Sequence, residues 1–190
     1  DRTETRERYG VDFFLCVGAP GYYKGLHILL NALTGAPYKL VILGGGPVKG
    51  KLRQQSERLG LDNVIFAGYI SDREKMALFQ LCRAVVFPSY LRAEAFGVTL
   101  LEGAMSGRPL ISAEVGSGTS HVNVHNETGL VVEAGSPLAL REAMDELFLD
   151  KAKAERMGKK ARLRYEALFT GQLMGGRYAK LYADVLQDVG

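Results

Sequence analysis

Six apolar runs of strand length, each followed by a stretch with helical period, limit how this chain can fold more tightly than any other feature. The runs fall near residues 13–17, 38–43, 64–67, 84–87, 109–112 and 129–132, and the helical stretches near 24–34, 48–59, 72–82, 97–106 and 137–149. Strand and helix in strict alternation imply right-handed crossovers and a parallel sheet covered on both faces, so the expected fold class is α/β, an open parallel sheet of about six strands. Ligands of such sheets collect at the carboxyl ends of the strands, beside helix N-termini. Gly18 to Lys24, Gly44 to Pro47, Tyr69, Glu94 to Gly97 and Gly116 to Thr119 each follow a strand, and should therefore line one edge. Residues 151–168 and 171–189 read as two further helices, the second with Leu173, Tyr178, Leu181, Tyr182 and Val185 on one stripe.

A chain of 190 residues, 47% hydrophobic and 24% charged, can build one domain with a proper core. Its longest apolar runs fall far short of the ~18 residues of a spanning helix, and the charged start DRTETRERYG lacks the apolar segment of a signal peptide. Cys16 and Cys82 sit in or beside apolar segments, as small buried hydrophobes do in a reducing compartment, so the cytoplasm is the expected location. The net charge of +3 is mild, but Lys151, Lys153, Arg156, Lys159, Lys160, Arg162 and Arg164 are clustered. One reading is peripheral attraction to an anionic membrane surface, and the plainer one is a solvated helix face.

Glu94 and Glu102 stand eight residues apart in FPSYLRAEAFGVTLLEGAMSGRP, where nearly everything between them is apolar or small. A carboxylate desolvated by helix packing needs hydrogen-bond donors, and a bound polyol would supply hydroxyls. Ala95, Phe96, Gly97 and Val98 open the helix that carries Glu102, with backbone N–H groups unpaired within it, and Gly97 allows close approach, so the turn suits a diphosphate. Lys24 is expected at a helix start, where the dipole disfavours a cation unless an anion lies between. The plainer readings are a chance helix-start lysine, a loop glutamate at Glu94 and an exposed, ion-paired helix glutamate at Glu102. Gly45 to Lys51 has the spacing of a P-loop, but Leu52 replaces the magnesium-binding hydroxyl and Pro47 removes an amide, so a strand-to-helix turn with Pro47 at the first helical position explains the letters better. His27, His121 and His125 lack partners at metal-ligand spacing.

The stretch Phe87 to Val132 resembles the donor-sugar half of the family 4 glycosyltransferases, retaining enzymes of the GT-B architecture, whose E-x7-E motif matches Glu94 to Glu102. VGAPGYYKG from Val17, LGGGP from Leu43, and SGRPLISAEVGSG with ETGLVV up to Val132 follow in the family's order, and YYKGLH with GSGTSHVNVHNETG looks most like bacterial mannosyl- and rhamnosyl-transferases of surface polysaccharides. The resemblance implies a Rossmann-like C-terminal domain over residues 1–168, and a terminal helix within 169–190 that packs back toward an N-terminal acceptor domain the chain is expected to lack. It implies a hexosyltransferase acting on a GDP-hexose such as GDP-mannose, with a glycan or lipid-linked acceptor, retention of configuration, no metal, no cofactor and no nucleic acid. Lys24 and Glu94 become the catalytic residues, and Gly18, Lys24, Tyr69, Ile70, Glu94, Ala95, Phe96, Gly97, Val98 and Glu102 the donor-binding set. Glu102 would hold the ribose diol, and Tyr69 and Ile70 the base. The family commonly has arginine where this chain has Ala19, a loss that Arg92, a residue of the other half, or Lys24 with backbone amides would have to cover. A half-enzyme should bind nucleotide without transferring sugar. A non-catalytic nucleotide-binding module and a GT-B sugar-nucleotide epimerase stay open as alternatives.

Overall fold

Six strands, β1 (Phe14–Val17), β2 (Leu40–Leu43), β3 (Val64–Gly68), β4 (Ala84–Phe87), β5 (Leu110–Glu114) and β6 (Gly129–Glu133), form one parallel sheet in the order β3-β2-β1-β4-β5-β6. This computed structural model describes residues 2–18, 21–46 and 48–188. Ala19 and Pro47, on which two expectations above turn, lie outside the described residues.

Strand side chains alternate across the sheet, so each strand feeds two cores. Phe14, Cys16, Leu40, Ile42, Ala84 and Val86 pack on one side against α2 (Leu26–Ala32), α3 (Lys49–Arg58) and α7 (Pro137–Leu149). Leu15, Val41, Leu43, Val85 and Phe87 pack on the other against α4 (Asp72–Leu81) and α5 (Val98–Met105). Cys16 and Cys82 belong to opposite cores, and burial pushes each thiol up to about 12, so both behave as hydrophobes rather than as a disulfide pair or nucleophiles.

Some elements differ from the sequence expectation. Arg2–Tyr9 forms α1, a helix with almost no apolar stripe, held because Tyr9 is buried and Glu74 of α4 accepts from the Tyr9 hydroxyl at 3.1 Å and Arg8 Nη1 at 3.2 Å. Thr119–Val122 forms the short α6. Gly50 and Lys51 lie inside α3, and Leu52 is in the core, so the G-x-x-x-x-G-K spacing makes a helix start and no phosphate loop. In α8 (Lys151–Leu168), Ala154, Met157, Gly158 and Ala161 are buried, and several cations already have partners: Lys153 pairs with Glu146, Arg162 with Glu166, and Arg164 donates to the His121 carbonyl. The stripe on α9 (Gly171–Asp188) is bare, with Leu173, Tyr178, Leu181, Tyr182 and Val185 all exposed. No helix among the described residues is long and apolar enough to cross a membrane.

Asn123, fully buried beyond α6, ties β5 to β6. Its Nδ2 donates to Ser112 Oγ at 2.9 Å and to the Leu130 and Leu110 carbonyls at 3.1 and 3.3 Å, and its Oδ1 accepts from Thr128 Oγ1 at 3.0 Å. Asn123→Leu keeps the branched shape but removes the donor and acceptor and strands the Ser112 hydroxyl, so it should cost at least about 1–3 kcal/mol of unfolding free energy, read as a lowered urea midpoint at unchanged slope.

Candidate functional site

Between β1 and β4 the strand order reverses, so the loop after β1 and the loop after β4 lead to opposite sides of the sheet and open a crevice at its carboxyl edge. Lys24 does not start α2. It ends a 3-10 turn, Tyr22–Lys24, and Gly25 follows in the left-handed region at φ 68° as the N-cap of α2. A side chain at Gly25 would place its Cβ 2.1 Å from the Pro88 carbonyl oxygen, so the loop after β4 sits directly on this turn. The Tyr90 amide donates to the Tyr23 carbonyl at 3.1 Å and locks the two loops together.

That contact brings Lys24 and Glu94 into an ion pair, with Ser89 Oγ donating to the same carboxylate oxygen at 3.2 Å. The side chains are only 20% and 13% exposed, so each charge depends chiefly on the other. The Lys24 ammonium also lies 5.1 Å from the ring centroids of Tyr23 and Phe87. Gly18, at the end of β1, lines the same shallow hollow as Val17, Lys24, Phe87 and Ser89.

Beyond Glu94, Ala95 is exposed, Phe96 half-buried, and Gly97 takes φ 81° as the N-cap of α5. The turn is braced from behind, because the Gly118 amide donates to the Ala95 carbonyl at 2.9 Å and Phe96 meets Phe169 edge-on. Glu114 shapes the brace by accepting from the Gly116 amide and the Ser120 hydroxyl, which hold its carboxyl below the usual range. Among the described residues no side chain caps α5, and none caps α2 or α3, whereas Ser71 caps α4 after edge strand β3 and Ser136 caps α7 after edge strand β6. Side-chain caps are thus spent at the margins of the sheet. At its centre, the amides and positive end of α5, with exposed Val98 in its first turn, face the crevice unscreened.

Glu102, one turn into α5, is not joined to Glu94 by any contact. It pairs with Lys75 of α4 at 2.8 Å, and this hydrogen bond chiefly holds the Lys75 ammonium above its usual range. Tyr69 is 83% exposed, its ring over Gly45 and its hydroxyl donating to the Gly45 carbonyl at 2.9 Å, while Ile70 packs partly into the core. Arg92 is exposed and forms no ion pair among the described residues. His27 stacks on Tyr22 with centroids 4.9 Å apart, and desolvation lowers its pKa. His125 Nδ1 accepts from the Val131 amide, and His121 meets Phe169 edge-on. Lys75 escaped the sequence reading because it acquires its partner only across the fold, and Ser89 because a loop hydroxyl five residues before Glu94 carries no pattern of its own. The one hint was that a half-buried glutamate needs a cation on a neighbouring helix.

Gly25→Ala should cost at least about 1–2 kcal/mol from the left-handed backbone alone, with the Pro88 clash added, and should loosen the Lys24–Glu94 pair. A thermal midpoint equal to that of the unmodified chain would show the two loops to be independent.

Residues 1–164 match the family described as Glycosyl transferases group 1. The chain is 55% identical over 165 residues to the D-rhamnosyltransferase WbpZ of Pseudomonas aeruginosa, covering 87% of this chain and 43% of that protein. It is 49% identical over 183 residues to the O-antigen chain mannosyltransferase C of Escherichia coli, covering 96% and 49%. A GDP-mannose-dependent alpha-(1-6)-phosphatidylinositol monomannoside mannosyltransferase of Mycobacterium tuberculosis is 31% identical over 175 residues, covering 85% and 45%. The chain thus spans about half the length of the curated relatives it matches. Among solved structures, Anabaena HepE in complex with UDP and glucose superposes with a TM-score of 0.86 at 23% identity, covering 96% of this chain and 51% of that one, which shows the shared fold.

Proposed function

The chain belongs to the Glycosyl transferases group 1 family, and from that premise we propose that it is the donor-binding half of a retaining hexosyltransferase of surface-polysaccharide synthesis, moving mannose or a mannose-derived sugar from a GDP-linked donor to a glycan or lipid-linked acceptor. The observation that carries this reading is the Lys24–Glu94 pair beside the uncapped start of α5 at the strand reversal. The names of the relatives from Pseudomonas, Escherichia and Mycobacterium support the choice of sugar and nucleotide.

Each partner of the pair suits a different part of one donor. On binding, Lys24 exchanges its carboxylate for the diphosphate and Glu94 exchanges its ammonium for sugar hydroxyls, so neither charge is left desolvated and alone. As the glycosidic bond to the diphosphate breaks, negative charge grows on the leaving phosphate, and the Lys24 ammonium and the first amides of α5 are already aimed there, with the Ala95–Gly97 turn held rigid by the Gly118 contact. No metal enters this scheme. Glu102, held by Lys75, accepts from the ribose diol, and Tyr69 and Ile70 flank the base. Ala19 lies outside the described residues, so Lys24 and the amides are taken to carry the diphosphate unaided.

Transfer needs the acceptor half that the greater length of the relatives implies, and the bare stripe of α9 is where we place its contact. Exposed cations of α8 such as Arg156 and Lys160 would add about 1 kcal/mol each near an anionic cytoplasmic leaflet carrying a lipid-linked acceptor.

Thermal shift with GDP, UDP, ADP and their mannose or glucose conjugates tests the reading, since a ligand at a hundred times its Kd stabilises by about 2.7 kcal/mol. GDP compounds should raise the midpoint most, and indifference to all of them would refute a donor site. Calorimetry should show Glu102→Ala weakening nucleotide binding roughly tenfold to a hundredfold, as for loss of a hydrogen bond to a charged group. Unchanged affinity would remove the ribose assignment. In the two-domain enzyme, Glu94→Gln should lower kcat by far more than it raises KM, and a raised KM at unchanged kcat would reduce Glu94 to a binding group.

A further inference from the structure

The amino edge of the sheet, opposite the crevice, holds a second charged cavity. Its volume is about 240 Å³, and Arg83, Ser106, Arg108, Lys151, Glu155 and Lys159 are among its walls. Arg83 and Arg108 lie just before β4 and β5, and Ser106 caps the carboxyl end of α5, so this site is a full strand length from the loops that carry Lys24 and Glu94.

Two features distinguish it from an ordinary basic surface. Arg83 is 8% exposed, and although one Nη donates to Asp12 at 3.1 Å, its buried Nε has no acceptor among the described residues. The buried hydroxyl of Ser106 likewise has no partner. Such groups are rare and costly, and here the two residues that carry them line one cavity. The walls are also unbalanced in charge. Four cations face two carboxylates, and one of these, Asp12, is occupied by Arg83, while Lys151 and Lys159 form no ion pair among the described residues. Lys151, Ala154, Glu155 and Lys159 lie along one face of α8 beside the cavity, while the helix start itself is capped by the Asp150 carboxylate, which accepts from the Lys153 amide at 2.8 Å.

We propose that this cavity binds a phosphate-type dianion: its oxygens accept from Arg83 Nε and Ser106 Oγ at the inner end, and Lys151 and Lys159 balance the charge at the mouth. Arg108 already donates to the Phe79 and Gln80 carbonyls, so the guanidinium donor left is Arg83 Nε, and a charged N–H with nearby ammonium groups is chemistry that phosphate accepts. The volume lies below the roughly 300–1,000 Å³ that encloses a drug-sized ligand, which points to inorganic phosphate or the phosphomonoester of a compact molecule and away from a nucleotide sugar. Glu155 is the one opposing charge of the cavity without an ion pair among the described residues, and it should weaken the site.

The test is a thermal-shift titration of the whole chain with inorganic phosphate and, separately, with a hexose 1-phosphate, each against sodium chloride at matched ionic strength. A saturable rise in midpoint that chloride does not reproduce is expected. Lys151→Ala with Lys159→Ala, both exposed positions, should raise the half-saturating concentration at least fivefold and leave nucleotide binding unchanged. Glu155→Gln should lower it two- to threefold, and Lys24→Ala should leave it where it was. The anion that saturates at the lower concentration identifies the source, free phosphate or phosphomonoester. A rise matched by chloride, one indifferent to the double lysine variant, or one abolished by Lys24→Ala would overturn the assignment, the last by placing the anion in the donor crevice.

Discussion

The pairing of Phe14 and Leu15 in β1 with Ala84 and Val85 in β4 is the constraint on which the ligand edge depends. These four side chains are fully buried and alternate between the two cores, so a slip of either strand by one residue would carry its side chains to the wrong core. That register fixes where the loops after β1 and β4 emerge. Because both strands run the same way and their crossovers diverge, the loops must part over the middle of the sheet. Apolar burial thus positions a charged site without any charged group directing it.

The Lys24–Glu94 pair is better understood against that background. A largely desolvated ion pair is weak evidence of stabilisation, since the cost of removing two charges from water offsets most of their attraction. Its geometry is imposed by Gly25 under Pro88 and by the backbone bond between Tyr90 and Tyr23, so the pair is assembled by loops already locked together. A pair held this way can exchange partners without collapse of the loops. The uncapped start of α5 follows the same logic, because a side-chain cap there would compete with any anion that the crevice receives.

Helix α5 has a part in both edges of the sheet. Its first turn meets the crevice, Glu102 reaches across to Lys75, and Ser106 at its far end lines the cavity beside Arg83. Gly158 of α8 lies so close to Gly107 that an added Cβ would fall 2.2 Å from the Gly107 carbonyl oxygen, which fixes the far end of α5 against α8. One short helix is therefore clamped at both ends by contacts distant in sequence.

The six strands and most helices were legible because their signal is local: an alternation of period two or 3.6 needs only neighbouring residues, and the end of Phe87 and the start of Val98 could be read from the letters alone. The conclusion that the glycine-rich and acidic turns share one edge was legible for the same reason, since parallel strands leave no other arrangement. Helix α1 was not, because RTETRERY has no stripe of its own and is helical only where Tyr9 and Arg8 meet Glu74. What the sequence by itself determined is the parallel α/β sheet and the set of residues at its carboxyl edge. Only the tertiary structure decided which charges meet, Lys24 with Glu94 across 70 residues and Lys75 with Glu102 across 27, and that the bottom of the sheet leaves Arg83 Nε without an acceptor among the described residues. Periodicity reports which face of an element is buried, but an ion pair depends on the relative placement of elements that never adjoin along the chain.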